Sequence, residues 1–492
     1  MKLSRIALAM ASCCGALASA PAFAITASNY TNTGEFTGDT LNIRVSGATA
    51  QDNGILGSAL SLCTAGSVHR YAISNDFVFY CTPDIGTNPG QITVPAGITK
   101  LAIYKYSVGG SAFGVGPINS NAAVDGSTLS STGNLLPFLD LVKINSLCTG
   151  TNAVVTTPSF SVPLGTYTNV ACGNATNTLT TAATTYIGVA DVETPFFTNS
   201  GTNITSATSY ALLFGVPVSL NLRNAMQTQQ GLPLGIDTEA AMPSISSAQM
   251  VSAYTQSGQT WAGVGITTGF ADDRIFLARR VDSSGTQKTF EALFAQTANG
   301  QPGLKNCAVN TDPFSAPDSA NTTTGDSDTV CSSGTPPQVA ALSGSSNVRA
   351  CLVNHNAGGR GAIGILTMED KPGSANWRFV KLDGITPNHA QAAAGKYRQY
   401  VESVLNTRTA GAFATSAALG YTAVVNRLKA DFANPAIVQA INGTQTFGTS
   451  GIMALLPVGG TPDYTGTTQV IPWTKLVGGV TLDNCQAPKA AF

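Results

Sequence analysis

Charged side chains are scarce in this 492-residue chain, and histidine is scarcer still. Asp, Glu, Lys and Arg together make up 10 % of the residues, histidine occurs three times, and the formal net charge is −1. A near-neutral balance favours neither nucleic acid nor an anionic membrane surface as a partner. The polar surface must therefore consist mainly of Ser, Thr, Asn and Gln, which suits a secreted protein better than a cytosolic one.

Long apolar runs and closely spaced metal ligands are also lacking. Beyond the N-terminus, no stretch is long and apolar enough to suggest a transmembrane helix. No Cys-x-x-Cys pair occurs, and His69, His355 and His389 show no second ligand at the spacing of a zinc site. The sequence therefore predicts no metal ion and no cofactor, and it gives no support for a metal-dependent enzyme.

The N-terminus has the pattern of a secretion signal. Lys2 and Arg5 precede a short apolar stretch, and Ala22-Phe23-Ala24 offers the small-x-small sequence of a cleavage site. We predict a signal peptide over residues 1–24, cleaved after Ala24, and a periplasmic or secreted mature protein. A lipid anchor on one of the two cysteines of this segment is the weaker alternative.

Eight of the ten cysteines lie beyond the predicted signal peptide. An even number of cysteines in an exported chain favours disulfides. Eight cysteines allow 105 pairings, so the connectivity cannot be deduced, but short-range pairs such as Cys63–Cys81 and Cys148–Cys172 are expected. The eight are Cys63, Cys81, Cys148, Cys172, Cys307, Cys331, Cys351 and Cys485.

Strand-like and helix-like segments alternate along the chain, which predicts α/β layers. Two long polar stretches, about 115–185 and 307–350, are interpreted as insertions. Strands are predicted at 41–45, 101–106, 187–191, 211–220, 275–278 and 362–366. Helices are predicted at 53–63, 247–255, directly after Gly285, at 390–406 and at 412–430.

The most informative segment is Arg280-Val281-Asp282-Ser283-Ser284-Gly285-Thr286, between a predicted strand and a predicted helix. A helix start presents unpaired N–H groups and a partial positive charge, so it attracts anions. Gly285 allows close approach of the backbone, while Ser284 and Thr286 add hydroxyl donors. Arg280 adds a charged fork suited to an oxyanion, and Asp282 is predicted to orient it. The alternative is an ordinary helix start with a surface arginine.

Three further predicted strand ends carry comparable chemistry. Gly47-Ala48-Thr49 and Gly109-Gly110-Ser111 each offer a hydroxyl and a closely approachable backbone, and Asp191 ends the strand that begins at Ile187. Each of these segments alone is also typical of an ordinary turn or strand end. Their significance lies in their order along the chain.

That ordered series resembles the phosphate-binding proteins of bacterial ABC uptake systems. The match covers most of residues 41–406, and Arg280–Thr286 is its most specific part. The chain departs from the family pattern at Val281 and Ser283, and at Ala50, where the family often has Phe. The matching motifs are Gly47-Ala48-Thr49, Gly110-Ser111-Ala112-Phe113-Gly114, Gly188-Val189-Ala190-Asp191, Val216-Pro217-Val218 with Asn221, Gln249 to Trp261, Arg280 to Thr286, and Gly361-Ala362-Ile363-Gly364.

The resemblance implies a two-domain fold of the type 2 periplasmic binding protein class, with the ligand cleft between domains joined by two crossover strands. The crossings are expected near 214–220 and 363–368. They would divide the chain into a discontinuous first domain, 25–215 plus 368–492, and a continuous second domain, 216–367. The insertion at 115–185 falls in the first domain and that at 307–350 in the second.

The resemblance also implies a function: binding of hydrogen phosphate for ABC-type uptake or scavenging, without catalysis. A transporter permease is the implied partner, and a monomer is expected. Because hydrogen phosphate can donate a proton to a carboxylate and sulfate cannot, Asp191 would provide selectivity through repulsion. The implied phosphate-binding residues are Thr49, Ser111, Asp191, Arg280, Ser284, Gly285 and Thr286, supported by Asp282.

Two other functions remain open from the sequence. A secreted surface or interaction protein could reuse the same fold, with the insertions as its interface. An exported phosphatase would need a nucleophile with a base, or a metal cluster. Three isolated histidines and the lack of a carboxylate cluster argue against the phosphatase.

Overall fold

The computed structural model describes most of the chain beyond the predicted signal peptide. The predicted signal peptide, Cys148, Cys172 and Cys307 lie outside the described residues. The described residues are 36–491 apart from 74–75, 89, 120–122, 125–126, 129–134, 148–152, 157–164, 172–178, 186, 198–203, 257, 294–327, 409–416, 458, 463–468 and 478–480.

Helices and strands alternate through the described residues, and the predicted α/β class is confirmed. The helices are α1 Asp52–Leu62, α2 Leu141–Leu147, α3 Leu220–Gln229, α4 Ser247–Thr255, α5 Gly285–Leu293, α6 Ser345–Ala357, α7 His389–Ala393, α8 Ala417–Ala433 and α9 Pro435–Ala440. The strands up to the long central one are β1 Phe36–Thr37, β2 Thr40–Gly47, β3 Val68–Ile73, β4 Asp76–Cys81, β5 Lys100–Tyr106, β6 Ala123–Val124, β7 Ser127–Thr128, β8 Leu135–Leu139, β9 Ala153–Thr156, β10 Thr166–Ala171, β11 Thr180–Thr184, β12 Ile187–Ala190 and β13 Ile204–Ser219. The later strands are β14 Ser244–Ile245, β15 Phe276–Arg280, β16 Val339–Leu342, β17 Ala362–Gly364, β18 Leu366–Thr367, β19 Trp377–Leu382, β20 Tyr400–Arg408, β21 Gly443–Gln445, β22 Gly448–Ser450, β23 Ile452–Met453, β24 Trp473–Thr474, β25 Leu476–Val477, β26 Thr481–Leu482 and β27 Lys489–Ala490.

The first sheet region is built around β2. This strand lies parallel to both β5 and β12, and all eight of its residues are buried. Its apolar and polar side chains alternate, yet both faces are covered, as is typical of a parallel strand inside an α/β fold. The order of neighbours across the region is β9-β10-β3-β4-β5-β2-β12-β20-β13-β23.

The second sheet region has the order β16-β15-β17-β13-β19-β14. Strand β13 belongs to both regions, because its first part pairs with β20 and its last part with β17 and β19. The chain therefore passes from the first region to the second along β13, and it leaves the second region only after β19, which pairs with the last part of β13. Strands β17 and β18, where the second crossing is expected, pair with β13, while the positions of the crossings and the domain boundaries stay predictions.

The helix predicted over 390–406 is wrong. Only His389–Ala393 is helical, and Tyr400–Arg408 forms strand β20 between β12 and β13. Seven consecutive residues of β20 are buried. A strand that is buried on both faces lacks the alternation that would reveal it, so its apolar spacing resembled that of a helix.

The second predicted insertion extends too far along the chain. Its described end includes β16, which lies parallel to β15 in the sheet, and the first turns of α6. These residues belong to the core, since Val339, Val348 and Cys351 are buried. Strand β16 is only four residues long, which explains why it did not stand out from the polar stretch before it.

Two disulfides join described elements. Cys63–Cys81 connects the end of α1 to β4 and confirms a predicted pair, and Cys331–Cys351 anchors a short 3₁₀ helix to α6. Cys485 is disulfide-bonded as well. A disulfide that closes a loop of this size stabilises a fold by about 2–4 kcal/mol.

None of the described helices combines the length and the apolar composition that a membrane crossing needs.

Candidate functional site

Three strand ends of the first sheet region meet at one place. The Ala48 N–H donates to the Val189 carbonyl at 2.9 Å, and the Gln51 side chain donates to the Ala190 carbonyl at 2.7 Å. Gly47 has φ +117°, and a Cβ there would lie 2.0 Å from the Val189 oxygen. Only glycine fits this backbone. The loop that carries Thr49 is therefore held against the strand that ends at Asp191.

A buried lysine supports the same loop. Lys105 Nζ donates to the Gly47 carbonyl at 2.9 Å and to the Ala48 carbonyl at 3.3 Å. It also forms an ion pair with Asp52 Oδ1 at 3.1 Å, and its side chain is fully buried. A buried ammonium needs such partners to offset its lost hydration. Lys105 thus fixes the loop and places a positive charge beneath it.

The start of α5 packs directly against these strand ends from the second sheet region. The Ala112 N–H donates to the Ser283 carbonyl at 3.0 Å. A Cβ on Gly285 would lie 2.1 Å from Ser111 Oγ and 2.6 Å from Asp191 Oδ2. The structure therefore brings Ser111, Asp191 and Gly285 into contact, as the sequence predicts.

Asp191 is a buried carboxyl at the centre of this contact. It is 2 % exposed, and its backbone N–H donates to Ser111 Oγ at 2.9 Å. Its Oδ1 is buried and has no hydrogen-bond partner within the described part of the chain. Burial raises the pKa of Asp191 to about 6, against the opposing attraction of Arg280 and the hydrogen bond with Ser111. This carboxyl is therefore mostly protonated below about pH 6 and mostly ionised above it.

Arg280 ends β15 on the other side of the cleft and is buried. Its guanidinium donates to the Leu342 carbonyl at 3.1 Å, to Ser345 Oγ at 3.2 Å and to the Ser343 carbonyl. It forms no ion pair with any carboxylate of the described residues. Burial lowers the pKa of Arg280 to about 10, and the nearby Asp191 opposes that change. Arg280 therefore stays charged at neutral pH, with its charge available to an anion.

The orienting role predicted for Asp282 is not what the structure shows. Its Oδ1 accepts from Arg279 Nη2 at 3.1 Å, and 59 % of its side chain is exposed. Successive residues of a strand point to opposite faces, so a carboxylate that meets Arg279 is directed away from Arg280. Backbone carbonyls of the β16–α6 connection orient Arg280 instead.

The remaining predicted residues lie on the same cleft. Ser284 and Thr286 are buried at the start of α5, where the Thr286 N–H donates to Ser284 Oγ at 3.2 Å. Thr49 is half-buried and lines a cavity together with Ser345, which accepts from Arg280. Thr49 therefore lies across the cleft from the Arg280 side.

Three residues of the cleft were not predicted from the sequence. Lys105 had a usable signal, since it is a charge inside an otherwise apolar strand. No sequence pattern indicates Ser345 or Glu369, because their positions depend on how α6 and the chain after β18 fold back onto the cleft. Such nonlocal contacts leave no pattern in a single sequence.

The structure brings His355 next to two cysteines, although the sequence analysis found no second ligand for it at the spacing of a zinc site. Ligand atoms of Cys331, Cys351 and His355 lie within 4.8 Å of one another. The two sulfurs form a disulfide, however, and a metal binds thiolate rather than disulfide sulfur. The oxidised trio therefore does not fit a metal ion.

Comparisons with known proteins give structural neighbours only. No family model matches the chain, and no curated protein matches it. Among solved structures, a putative phosphate ABC transporter substrate-binding protein with bound phosphate from Clostridium perfringens matches with 11 % identity and a TM-score of 0.40, covering 83 % of this chain and 99 % of that one. An ABC-type phosphate transport receptor from Vibrio cholerae matches with 14 % identity and a TM-score of 0.29, covering 50 % and 74 %. A possible phosphate binding protein from Planctomyces limnophilus DSM 3776 matches with 11 % identity and a TM-score of 0.28, covering 75 % and 82 %. The description of the fold rests on the strand order and on the pairing of β13 with both sheet regions.

Asp191→Asn should flatten the pH dependence of stability in the ligand-free protein. The pKa of Asp191 is about 6 in the fold against an ordinary 3.8, beside the charges of Arg280, Lys105 and Asp52. The stability linked to its protonation is complete below 3.8 and is lost as pH rises through about 6. Wild type should therefore lose about 2 kcal/mol more than Asp191→Asn between pH 4 and 7. Urea unfolding at both pH values measures this difference.

The exposed Asp282→Asn variant is the control for that measurement and should follow the wild-type curve. Equal losses in wild type and Asp191→Asn would show that Asp191 does not bind a proton more tightly in the folded protein.

Proposed function

We propose that this protein is an exported solute-binding protein that holds hydrogen phosphate in the cleft between its two sheet regions. The observation that carries the proposal is a buried, charged Arg280 without an ion-pair partner among the described carboxylates, close to a buried Asp191 with an unpaired oxygen. The Arg280 guanidinium would bind an anion, and the unpaired Asp191 oxygen would accept a proton or a hydrogen bond. A protonated oxyanion satisfies both.

The cleft has the means to replace the hydration shell of an anion. Burying a charge is costly unless hydrogen bonds and an opposite charge compensate for the lost water. Arg280 would supply the charge, and the N–H group of Gly285 lies at the positive end of α5. The hydroxyls of Thr49, Ser111, Ser284 and Thr286 would complete the set.

Asp191 would select for the protonated anion. Hydrogen phosphate keeps a proton at neutral pH and can donate it to the unpaired Asp191 oxygen. Sulfate has no proton to donate and would face the carboxylate directly, so the same residue that binds phosphate would exclude sulfate. This places the specificity in a repulsive contact.

A hinged closing of the two sheet regions would bury the ligand, as in other two-domain binding proteins. We further propose delivery to a transporter permease from the periplasm or the cell exterior. Within the described residues, the cleft presents an arginine, hydroxyls and a carboxyl without a histidine beside them. This set suits binding better than hydrolysis.

Isothermal titration calorimetry tests the proposal directly. The protein is first freed of bound ligand by unfolding and refolding, and phosphate, arsenate and sulfate are then titrated separately. Phosphate and arsenate should bind, and sulfate should bind far more weakly. No heat with phosphate, or equal binding of phosphate and sulfate, would contradict the proposal.

A further inference from the structure

A cavity of about 170 Å³ opens directly beside the proposed phosphate site. A volume of this size holds several water-sized groups. It lies between the two sheet regions, since it is lined by residues that follow β2 and by residues that follow β16, together with the chain at and after β18. Its lining residues are Thr49, Ala50, Asn53, Ser345, Ser346, Arg349, Thr367, Glu369 and Asp370.

Two residues connect this cavity to the phosphate site. Thr49 belongs to both, and Ser345 lines the cavity while it accepts a hydrogen bond from Arg280 at 3.2 Å. Ala50, next to Thr49, also lines the cavity, and its side chain is only a methyl group. A group attached to a bound phosphate could extend into the cavity without leaving the cleft.

The cavity lining favours an uncharged, hydroxylated group. Arg349 and Asp370 form an ion pair, so their charges cancel. Glu369 accepts from the Asn53 amide at 3.0 Å, and burial beside other carboxylates raises its pKa to about 8. Glu369 is therefore mostly neutral at pH 6 and can both donate and accept. The lining offers many hydrogen bonds and little net charge.

We propose that the cleft also binds phosphate monoesters of small hydroxylated compounds, with the phosphoryl group at Arg280 and Asp191 and the hydroxylated part in the cavity beside Ala50. This inference rests on the proposed phosphate site. It names the substrate class of that site more closely: a polyol or sugar phosphate as well as inorganic phosphate.

Calorimetry at pH 6 tests the inference with three probes: inorganic phosphate, glycerol 3-phosphate and n-propyl phosphate. At this pH about half of a monoester still carries the proton that Asp191 requires. Propyl phosphate has the same chain length as glycerol phosphate but lacks its two hydroxyls. Glycerol phosphate should bind roughly tenfold more tightly than propyl phosphate, because the lining would satisfy its hydroxyls.

Ala50→Leu should fill the cavity from the side of the loop. It should weaken glycerol phosphate binding by about tenfold or more, while phosphate affinity stays within about threefold. Ser346→Leu, at the exposed rim of the cavity, should act in the same direction with little effect on folding, so it covers the case in which Ala50→Leu is unstable.

The outcomes separate the two proposals. If phosphate binds but glycerol phosphate binds no better than propyl phosphate, the inference about esters is overturned and the phosphate site stands. If the two leucine variants weaken phosphate and glycerol phosphate equally, the cavity is not where the ester binds. If no probe binds, both proposals fail.

Discussion

Gly285→Ala should weaken phosphate binding by roughly 5- to 150-fold, the range expected when overpacking costs about 1–3 kcal/mol. The added Cβ would lie 2.1 Å from Ser111 Oγ and 2.6 Å from Asp191 Oδ2, distances far inside ordinary contact. The start of α5 could then no longer meet the strand ends of the first sheet region. Calorimetry with phosphate measures the loss, and small-angle scattering should show a larger radius of gyration.

Gly334→Ala is the matched control, because a Cβ at Gly334 meets no atom within 4 Å. It should bind phosphate like wild type. If Gly285→Ala kept full affinity and the wild-type radius, the contact between α5 and Ser111 would have no part in ligand binding.

Arg280→Ala should cause a larger loss, about 2–5 kcal/mol of binding free energy. The variant removes the only buried guanidinium that the proposed site assigns to the anion, while the Asp191 carboxyl that repels an anion remains. Arg280→Lys should recover part of the affinity, since an ammonium restores the charge but not the fork. Calorimetry with phosphate at neutral pH gives both values.

Arg279→Ala provides the comparison for that experiment. Arg279 is the preceding residue of the same strand and is equally buried, yet its side chain pairs with Asp282 on the other face. Its loss should leave phosphate affinity within about threefold. Since Arg280 also holds the carbonyls of Leu342 and Ser343, urea unfolding of each variant separates lost binding from lost folding. Equal loss of affinity in both variants would remove Arg280 from the site.

Elements with local signals were predictable. Helix α4 begins where Ser246 and Gln249 form a capping box, and its predicted bounds match. Helix α1 and strands β2 and β15 also lie within a few residues of their predictions. Strand β20 was not predictable, because it is defined by the two strands on either side of it rather than by its own residues.

The same contrast holds within the site. The segment from Arg280 to Thr286 could be predicted as an anion site from its own residues, since a strand end, a glycine and a helix start are all local features. The partners that hold Arg280 come from the connection between β16 and α6, more than 60 residues later. The sequence suggested Asp282 because it is near in the chain, but the alternation of a strand directs it elsewhere.

The chain order of the strands has a consequence for how the protein assembles itself. The second sheet region is built from one continuous stretch, from β13 to β19, and has all its strands once residue 382 is present. The first region is complete only when Tyr400–Arg408 is present, because this strand lies between β12 and β13. Until then β12 has an open edge, the kind of unpaired strand at which chains aggregate. A chain that emerges from its N-terminus onward would therefore complete its second region first and remain vulnerable until the last fifth of its length arrives to close the gap.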